Sequence, residues 1–420
     1  MSGEAESTVT STSSTESLTP CFYAGDLICG RWKVEGEIGR GGCGVVYQVS
    51  TVVSEQFEGV MKERTIRAAM KCEGVDPDDR YSETLHSELT VLRRMQRSEH
   101  VCRLYLGGRL SASTNILIMS LVGRSLSFMR RLCDNQRFST SSAIRVAFQC
   151  LQAIKELHYI GYLHRDIKGG NFATGTYPDD VRRIILLDFG FARPYVKKDE
   201  NGKMRHRSPR RRAPFLGTDR YCSINCAARL EQGRRDDLWS WLFMLVEFIE
   251  GRLPWKDCSA KSARLNEVKL KALDSLLDRC PQPLYRIFDH LQTLRYADQP
   301  NYTMMFNVLE EICEMKCVKP DDPYDWEEGG RCHYSFLAAQ YERPQLKKLE
   351  VRPDDEPMES MLNSDSDYFS DNMLLSKKTS TPSTSDSSAS EVETKKEKDS
   401  SVLSVVNSSE VDEKHTESYC

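Results

Sequence analysis

Residues 162–175 read "YLHRDIKGGNFATG" and place Asp166, Lys168 and Asn171 within one short polar loop. A second stretch, "RIILLDFGFARP" at 183–194, runs through apolar residues into Asp188. The apolar run predicts a buried strand that delivers this aspartate at its end. Carboxylate and amide oxygens are ligands that Mg²⁺ prefers, and a lysine beside them suits a negatively charged phosphate. The order and spacing of these residues predict a site for phosphoryl chemistry rather than a plain surface loop.

A glycine-rich stretch stands upstream, "IGRGGCGVVYQV" at 38–49, in which Gly39, Gly41 and Gly44 form the pattern G-x-G-x-x-G. In a dinucleotide-binding fold such glycines open a helix. Here the following residues alternate, which predicts a second strand. A strand, a glycine turn and a strand can lay backbone over nucleotide phosphates, although this segment alone also fits a simple hairpin. The nucleotide-contacting residues expected here are Ile38, Gly39, Arg40, Gly41, Gly42, Cys43, Gly44, Val45 and Val46.

Two further charges are candidates for the same site. An interior lysine would grip the α- and β-phosphates, and a glutamate on a helix would hold that lysine in place. "RAAMKCE" at 67–73 offers Lys71, and "LHSELTVLRRMQ" at 85–96 offers Glu88 on an amphipathic helix. Lys62 is a rival, but Lys71 is favoured because it ends an apolar run and lies closer to Glu88 in sequence. Two solvated surface charges remain the alternative.

With these residues in view, the chain resembles the casein kinase 1 superfamily of protein kinases, and most closely its tau-tubulin kinase branch. His164-Arg165-Asp166 and Asp188-Phe189-Gly190 match the catalytic and metal-binding motifs of that family. "GTDRYCSIN" at 217–225 has the S-I-N form of the group, and "DPYDWEEGG" at 322–330 is similar to a stretch of the tau-tubulin branch. The resemblance covers roughly residues 25–328. Gly169 and Gly170 depart from it, and we expect them to loosen the loop.

The resemblance implies an α+β, bilobal protein kinase fold, with a small β-rich N-lobe and a larger helical C-lobe. Strand-like patterning up to about residue 122, followed by helical patterning, points the same way. About nine extra residues are expected between the second and third strands. The predicted divisions are a disordered N-terminus at 1–24, a kinase domain at 25–335 (N-lobe 25–117, hinge 118–124, C-lobe 125–335) and a disordered tail at 336–420.

The resemblance also implies the cofactors ATP and Mg²⁺ and a role for each motif residue. Asp188 and Asn171 would hold the metal ions, and Asp166 would accept the proton of the substrate hydroxyl, with Lys168 close to the moving phosphate. Further roles are expected for the adenine-contacting residues Met119, Ser120 and Val122, for Asp237 as a tie to the catalytic loop, and for Thr218 beside Asp166.

Charge is unevenly distributed along the chain, whose net charge is -4. The tail is acidic and rich in serine, with too little apolar surface to fold. The stretch "VKKDENGKMRHRSPRRR" at 196–212 is basic and follows the metal-binding aspartate. It is expected to attract acidic or phosphorylated substrates, while nuclear import or a merely solvated charge run are competing interpretations. The candidate anion-binding residues are Arg210, Arg211, Arg212, Arg220 and Lys261.

The fifteen cysteines show no CxxC pair, so buried thiols in a reducing compartment are favoured over disulfides or zinc. We expect a cytoplasmic protein, with the nucleus left open, that binds protein substrates, including cytoskeletal proteins by family resemblance. It is expected to be a monomer that binds neither membranes nor nucleic acid. The overall interpretation is an ATP-dependent, non-specific serine/threonine protein kinase, and the alternative is a pseudokinase scaffold that binds nucleotide and partners without turnover.

Overall fold

The computed structural model describes residues 21–41, 44–57, 60–75, 84–176, 178–256, 265–341 and 346–350. All of these belong to one compact unit, Met1–Met373, and a second unit, Leu374–Cys420, lies outside the described residues. Gly42, Cys43 and Lys261 also lie outside them, as do residues 1–20 and 351–420, so most of both predicted disordered segments is not described.

The N-lobe is built on one antiparallel sheet of six strands in the order β1-β2-β3-β4-β6-β5, with helix α1 between β4 and β5. Alternate residues of the strands, such as Val45, Tyr47 and Val49, are fully buried and form its core. The elements are β1 (Leu27–Ile28), β2 (Trp32–Gly41), β3 (Gly44–Phe57), β4 (Val60–Gly74), α1 (Thr84–Arg94), β5 (Leu104–Ser111) and β6 (Thr114–Ser120).

The extra residues expected between the second and third predicted strands lie in β3 and β4 of the structure, because the short β1 adds one strand before them, and they lengthen both strands. The register continues to the pair Phe57↔Val60, so the insertion is a paired extension of the β3–β4 hairpin. The first six residues of β4 are exposed, whereas its residues from Ala68 to Cys72 are buried. The insertion therefore extends beyond the N-lobe core and leaves the core register of β4 intact.

The C-lobe is mostly helical, with short strands around the catalytic loop. Its elements are α2 (Leu126–Leu132), a 3-10 turn (Asp134–Gln136), α3 (Thr140–Tyr159), β7 (Tyr162–Leu163), β8 (Phe172–Thr174), β9 (Ile184–Leu186), β10 (Arg193–Pro194), β11 (Val196–Lys198), β12 (Met204–His206), α4 (Ile224–Ala227), α5 (Arg234–Glu250), α6 (Leu265–Ala272), α7 (Leu284–Thr293), α8 (Tyr302–Met315) and α9 (His333–Tyr341).

Helix α5 forms the centre of the C-lobe, as its sequence predicts, because it is apolar on nearly every side. Every residue from Asp236 to Ile249 is buried. The helix packs on α3, and the indole nitrogen of Trp241 donates a hydrogen bond to the Ala147 carbonyl at 3.1 Å. Two aspartates enter this apolar environment at the first turn of α5, and one of them, Asp237, reaches the catalytic loop.

One pair of cysteines corrects the expectation of free thiols. Cys133, at the end of α2, and Cys332, just before α9, form a disulfide across 199 residues of sequence. The other described cysteines are free. Sequence spacing could not reveal this pair, because only the packing of the C-terminal segment against α2 brings the two residues together.

The predicted boundary between domain and tail at residue 335 is too early. Helix α9 continues to Tyr341, and residues 346–350 contact the N-lobe. The physical reason is a few apolar side chains in a polar segment: Phe336 is 1% exposed, and Leu349 packs against the N-lobe core.

Among the described helices, none has the length and apolar character needed to cross a membrane.

Candidate active site

The catalytic loop lies between β7 and β8, and Asp237 of α5 holds its backbone. The Asp237 carboxylate accepts hydrogen bonds from the backbone N–H groups of His164 and Arg165, both at 2.8 Å. Arg165 has a positive φ of 68°, an uncommon conformation for a residue with a side chain. These two hydrogen bonds stabilise that turn, as the family resemblance implies for Asp237.

Asp237 is ionised although it is buried. Burial alone would raise its pKa, but the hydrogen bond from His158 Nε2 at 2.9 Å and those from the loop backbone outweigh burial and leave the pKa below its usual value. Burial lowers the pKa of His158, so its ring is neutral. Its Nδ1 then accepts a hydrogen bond from the Tyr302 hydroxyl at 2.6 Å. Neither His158 nor Tyr302 was singled out from the sequence.

Asp166 is the centre of a dense polar cluster. Its Oδ1 accepts a hydrogen bond from Thr218 at 2.7 Å, and its Oδ2 accepts from Lys168 at 2.5 Å and Asn171 at 3.1 Å. Lys168 also reaches the Thr218 hydroxyl at 3.1 Å. The carboxylate is 6% exposed and is therefore oriented by its neighbours rather than by water. The structure brings together the four residues that the sequence analysis assigned here.

The two glycines of the loop differ in their surroundings. A Cβ at Gly169 would lie 2.9 Å from Ser127 Oγ and 3.1 Å from the Phe248 ring, and the Gly169 carbonyl accepts a hydrogen bond from Ser127 N–H at 2.9 Å. Gly169 thus fits the loop closely against α2 and α5 instead of loosening it, which corrects the expectation. At Gly170 a Cβ would meet only the Lys168 side chain, at ordinary contact distance.

His164 connects the catalytic loop to the strand that delivers Asp188. Its Nδ1 accepts a hydrogen bond from Asp166 N–H at 3.3 Å, so Nε2 carries the proton and donates it to the Leu187 carbonyl at 3.0 Å. Asp188 itself has a positive φ of 64°. Backbone strain of this kind is often found where a side chain is held for function.

Lys71 joins the N-lobe to this arrangement. Its ammonium lies 2.5 Å from Glu88 Oε2 on α1 and 3.4 Å from Asp188 Oδ1. Burial raises the pKa of Glu88, with the Lys71 charge offsetting part of the effect. For Asp188 burial also pushes the pKa upward, but the positive charge of Lys71 outweighs burial and the pKa lies below its usual value. Lys62, the rival, is exposed nine residues earlier in the same strand.

Glu73 is a site residue that the sequence analysis missed. Its carboxylate accepts hydrogen bonds from Thr84 N–H at 2.8 Å, the Thr84 hydroxyl at 2.6 Å and Leu85 N–H at 3.1 Å. It therefore caps the first turn of α1, where a negative charge is favourable. Residues two apart in a strand share one face, so the position of Glu73 relative to Lys71 was a usable signal.

The described residues of the glycine-rich stretch lie where β2 ends and β3 begins, and Gly42 and Cys43 between them are outside the described residues. Gly39 pairs with Val46, Arg40 with Val45, and Gly41 with Gly44. Gly44 has φ of 120°, and a Cβ there would lie 1.9 Å from the Cys72 carbonyl oxygen, so no other residue fits. Ile38 is 45% exposed beside the turn. The strand that follows pairs with β4 and sets Val46 opposite Lys71, which places the turn and the lysine on one sheet.

The predicted hinge, residues 118–124, begins in the last three residues of β6 and continues beyond the strand. Met119 and Ser120 end that strand, opposite Ala69 and Ala68 of β4, and Val122 packs against the C-lobe core. Gly123 N–H then donates a hydrogen bond to the Thr174 carbonyl at 2.8 Å, which attaches the linker to β8. Helix α2 begins soon afterwards, with Ser125 as its N-cap.

Two of the five candidate anion-binding residues are engaged by acids that the sequence did not single out. Arg220 forms an ion pair with the buried Glu247 at 3.1 Å, and Arg210 forms a two-point contact with Glu231. Arg211 and Arg212 are exposed.

Glu231 lies close to three arginines, Arg165, Arg193 and Arg210. Burial first, and then the nearby charges of Arg193 and Arg210, lower the pKa of Arg165 to about 10. Burial and Arg210 also lower the pKa of Arg193. Arginines that disfavour one another's charge indicate a local excess of positive potential beside the catalytic loop.

The residues present fit a magnesium nucleotide. Asp188 offers a carboxylate, and Asn171 uses its amide nitrogen on Asp166, which leaves a hard neutral oxygen as its remaining polar atom. Lys71 lies between Glu88 and Asp188, where a phosphate could share its charge. Among the described residues, no group of three or more His, Cys, Asp or Glu side chains is placed to hold a metal ion by itself.

The fold and these residues define a protein kinase. Residues 32–309 match the family model described as "Protein kinase domain", and the chain belongs to the protein kinase family.

The relatives are kinases of the expected group. A Dictyostelium discoideum protein named "Probable serine/threonine-protein kinase" is 35% identical over 307 residues, which are 73% of this chain and 58% of that protein. The inactive tau-tubulin kinase ttbk-6 of Caenorhabditis elegans is 30% identical over 261 residues, or 60% of this chain and 89% of its own length. A "Probable casein kinase I homolog" of Encephalitozoon cuniculi is 31% identical over 235 residues, or 53% and 74%. The resemblance to casein kinase I and tau-tubulin kinases is confirmed.

Proposed function

We propose that the chain is an active serine/threonine protein kinase that transfers the γ-phosphoryl group of ATP to hydroxyl groups of proteins. The observation that carries this proposal is the meeting of Lys71 from the N-lobe with Asp188 from the C-lobe, beside the Asp166 cluster. These are the charges that phosphoryl transfer requires, because it depends mainly on positioning and on electrostatic stabilisation.

Each of the site residues has a defined task in this reaction. Asp166 orients the substrate hydroxyl and accepts its proton on a carboxylate that Thr218 and Asn171 hold in place. Lys168 supplies positive charge next to that carboxylate, at 2.5 Å. Lys71 grips the non-transferred phosphates. Asp188 and Asn171 would hold Mg²⁺, which would supply positive charge to neutralise the phosphates.

Acidic or phosphorylated sequences are the substrates that we propose. What supports this is the arginine group around Glu231, formed by Arg165, Arg193 and Arg210, together with the exposed Arg211 and Arg212. All of these except Arg165 lie in the segment that follows Asp188. Arginine binds phosphate and carboxylate groups through paired hydrogen bonds. Cytoskeletal proteins are proposed partners, because one relative is named a tau-tubulin kinase.

Transfer of radiolabelled phosphate from ATP to casein, tubulin and a peptide library tests the proposal. Asp166→Ala is expected to lower kcat by about a thousandfold or more, on the scale of single-group effects in such sites. The exposed Asp274→Ala serves as a control for the same chemical change and should leave the rate unaltered. If Asp166→Ala transferred phosphate as fast as the wild type, the assignment of Asp166 as the proton acceptor would be contradicted.

A scaffold without turnover is the second candidate, and the observation in its favour is that one relative is named inactive. It predicts that Mg²⁺ and ATP raise the melting temperature of the wild type while no phosphate is transferred to any peptide. Transfer that depends on Asp166 would remove this candidate.

A further inference from the structure

The outer edge of strand β2 is occupied by a segment from the far end of the described chain. Strand β1 pairs with only the start of β2, at Trp32 and Lys33. Further along, Glu37 and Lys347 form an antiparallel bridge. Glu37 N–H donates to the Lys347 carbonyl at 3.3 Å, and Lys347 N–H donates to the Glu37 carbonyl at 3.1 Å. We call residues 346–350 the C-terminal strap.

Both sides of this contact are shaped for close approach. A Cβ at Gly36 would lie 2.8 Å from Leu346 Cβ and 3.3 Å from the Lys347 carbonyl oxygen. Gly36 does not have a positive φ, so its missing side chain serves the contact rather than the backbone conformation. At the other end of the strap, Leu349 packs against the N-lobe core and the Glu350 carbonyl accepts a hydrogen bond from Ala24 N–H at 3.0 Å.

The strap is connected electrostatically to the glycine turn through Glu37. The Glu37 carboxylate, which is 8% exposed, receives a hydrogen bond from Arg40 at 2.8 Å and lies 3.8 Å from Lys347 Nζ. The hydrogen bond from Arg40 is the main reason that the pKa of Glu37 is lowered. Arg40 is directly opposite Val45 across the turn. Moving Glu37 would therefore move a residue of the phosphate-binding turn.

The segment just before the strap is attached to the C-lobe beside the hinge. The Ala339 carbonyl in α9 accepts a hydrogen bond from the Arg124 guanidinium at 3.0 Å, and Arg124 is the last residue of the predicted hinge. Phe336 anchors α9 in the C-lobe core, and the disulfide of Cys332 fixes its start. One stretch of chain thus contacts both lobes, with four residues of sequence, 342–345, between the two attachments.

We propose that the C-terminal strap is a positioning element for ATP binding: it holds the edge of β2 at Glu37 and so fixes the glycine turn over the nucleotide. This proposal rests on the proposed nucleotide-dependent function. The strap touches neither Asp166 nor its partners, so it should govern nucleotide affinity and leave the chemical step alone.

Lys347→Pro in the full chain tests the proposal, because proline lacks the N–H that Lys347 donates to Glu37. Lys348→Pro is the matched control: in an antiparallel bridge the neighbouring residue directs its N–H away from the partner strand. We expect Lys347→Pro to weaken binding of a non-hydrolysable ATP analogue about three- to tenfold, the scale of one lost hydrogen bond, and to change kcat less than twofold. Lys348→Pro should change neither quantity.

Binding of the analogue, measured by calorimetry, does not need turnover, so it separates this proposal from the proposed catalytic function. Amide hydrogen exchange at Glu37 gives a second measurement and should become faster in Lys347→Pro only. Unchanged affinity in Lys347→Pro, or an equal loss in Lys348→Pro, overturns the proposal.

A third variant tests the contact from the N-lobe side. Gly36→Ala should weaken analogue binding in the wild-type background by displacing Leu346. In the Lys347→Pro background it should add little, since the strap is already released. Fully additive losses would show that Gly36 acts independently of the strap and would contradict the proposal.

Discussion

The two halves of the site are held in different ways. In the C-lobe, Asp166 belongs to a continuous network in which Asp237 fixes the backbone of the loop and Thr218 fixes the carboxylate. In the N-lobe, Lys71 pairs with Glu88 of α1 at 2.5 Å and reaches Asp188 of the C-lobe at 3.4 Å, and Glu73 caps the helix that carries Glu88. We call the C-lobe part of the site the lower half and the N-lobe part the upper half. The lower half is supported by the C-lobe core, whereas the upper half rests on an ion pair between two separate elements.

This difference indicates that the two halves contribute to different kinetic quantities, the chemical step and ATP binding. Hydrogen bonds from buried backbone groups leave the lower half few alternative arrangements, because an unpaired buried donor is costly. The ion pair between Lys71 on a strand and Glu88 on a helix can open when the helix shifts. Changes in the lower half should therefore lower kcat, and changes in the upper half should mainly weaken ATP binding.

Asp237→Asn is expected to have the largest effect on this comparison. The amide has one acceptor oxygen where the carboxylate serves three N–H donors, from His158, His164 and Arg165. Each donor left unpaired costs about 1–3 kcal/mol of stability. Misplacing the loop should lower kcat about a hundredfold with little change in ATP affinity.

Steady-state kinetics and calorimetric binding of an ATP analogue would measure the two quantities separately. Asp289→Asn, the same change at an exposed C-lobe position, is the control. If Asp237→Asn weakened nucleotide binding as strongly as it lowered kcat, the two halves would not be independent.

Glu73→Gln tests the upper half. The amide loses the charge and one acceptor at the start of α1, where Thr84 and Leu85 donate to it. Because α1 carries Glu88, the KM for ATP should rise about tenfold, the effect of losing one charged hydrogen bond. Glu63→Gln, on the exposed part of the same strand, should have no effect. A loss of kcat at unchanged KM would assign Glu73 to the wrong half.

The lower half was the more predictable from the sequence. Asp166, Lys168 and Asn171 lie within a few residues of each other, so local spacing was enough to group them. Asp237 and Thr218 were expected through the family resemblance, but other supports of the fold and site were missed because tertiary packing alone brings them together. Glu231 meets Arg210, Cys332 meets Cys133 and Lys347 meets Glu37 only in the folded chain.

The same reason explains the error at the end of the domain. A polar composition predicted a tail from residue 336, yet single apolar residues such as Phe336 and Leu349 are enough to dock short segments on an existing surface. The lobes themselves were predictable, since hydrophobic periodicity reports which side of a helix or strand is buried.

The smallest expected effect is a pH dependence that separates the two halves. Burial raises the pKa of Glu88, whereas the pKa of Asp237 lies below its usual value. As pH falls, Glu88 is therefore protonated first, and Lys71 loses its partner while the catalytic loop keeps its ionised support. Between these two protonations, kcat/KM for ATP should fall while circular dichroism still reports the native fold.

Glu88→Gln provides the reference for this experiment, because it shares the titration of ATP itself but lacks the titrating glutamate. The ratio of wild-type to Glu88→Gln kcat/KM should decline by a few-fold as the solution is acidified below neutral pH, within the range where a raised carboxyl pKa falls. A ratio that stays constant over that range would mean that Glu88 does not titrate there. The upper half would then be as firmly held as the lower, and the contrast between them would disappear.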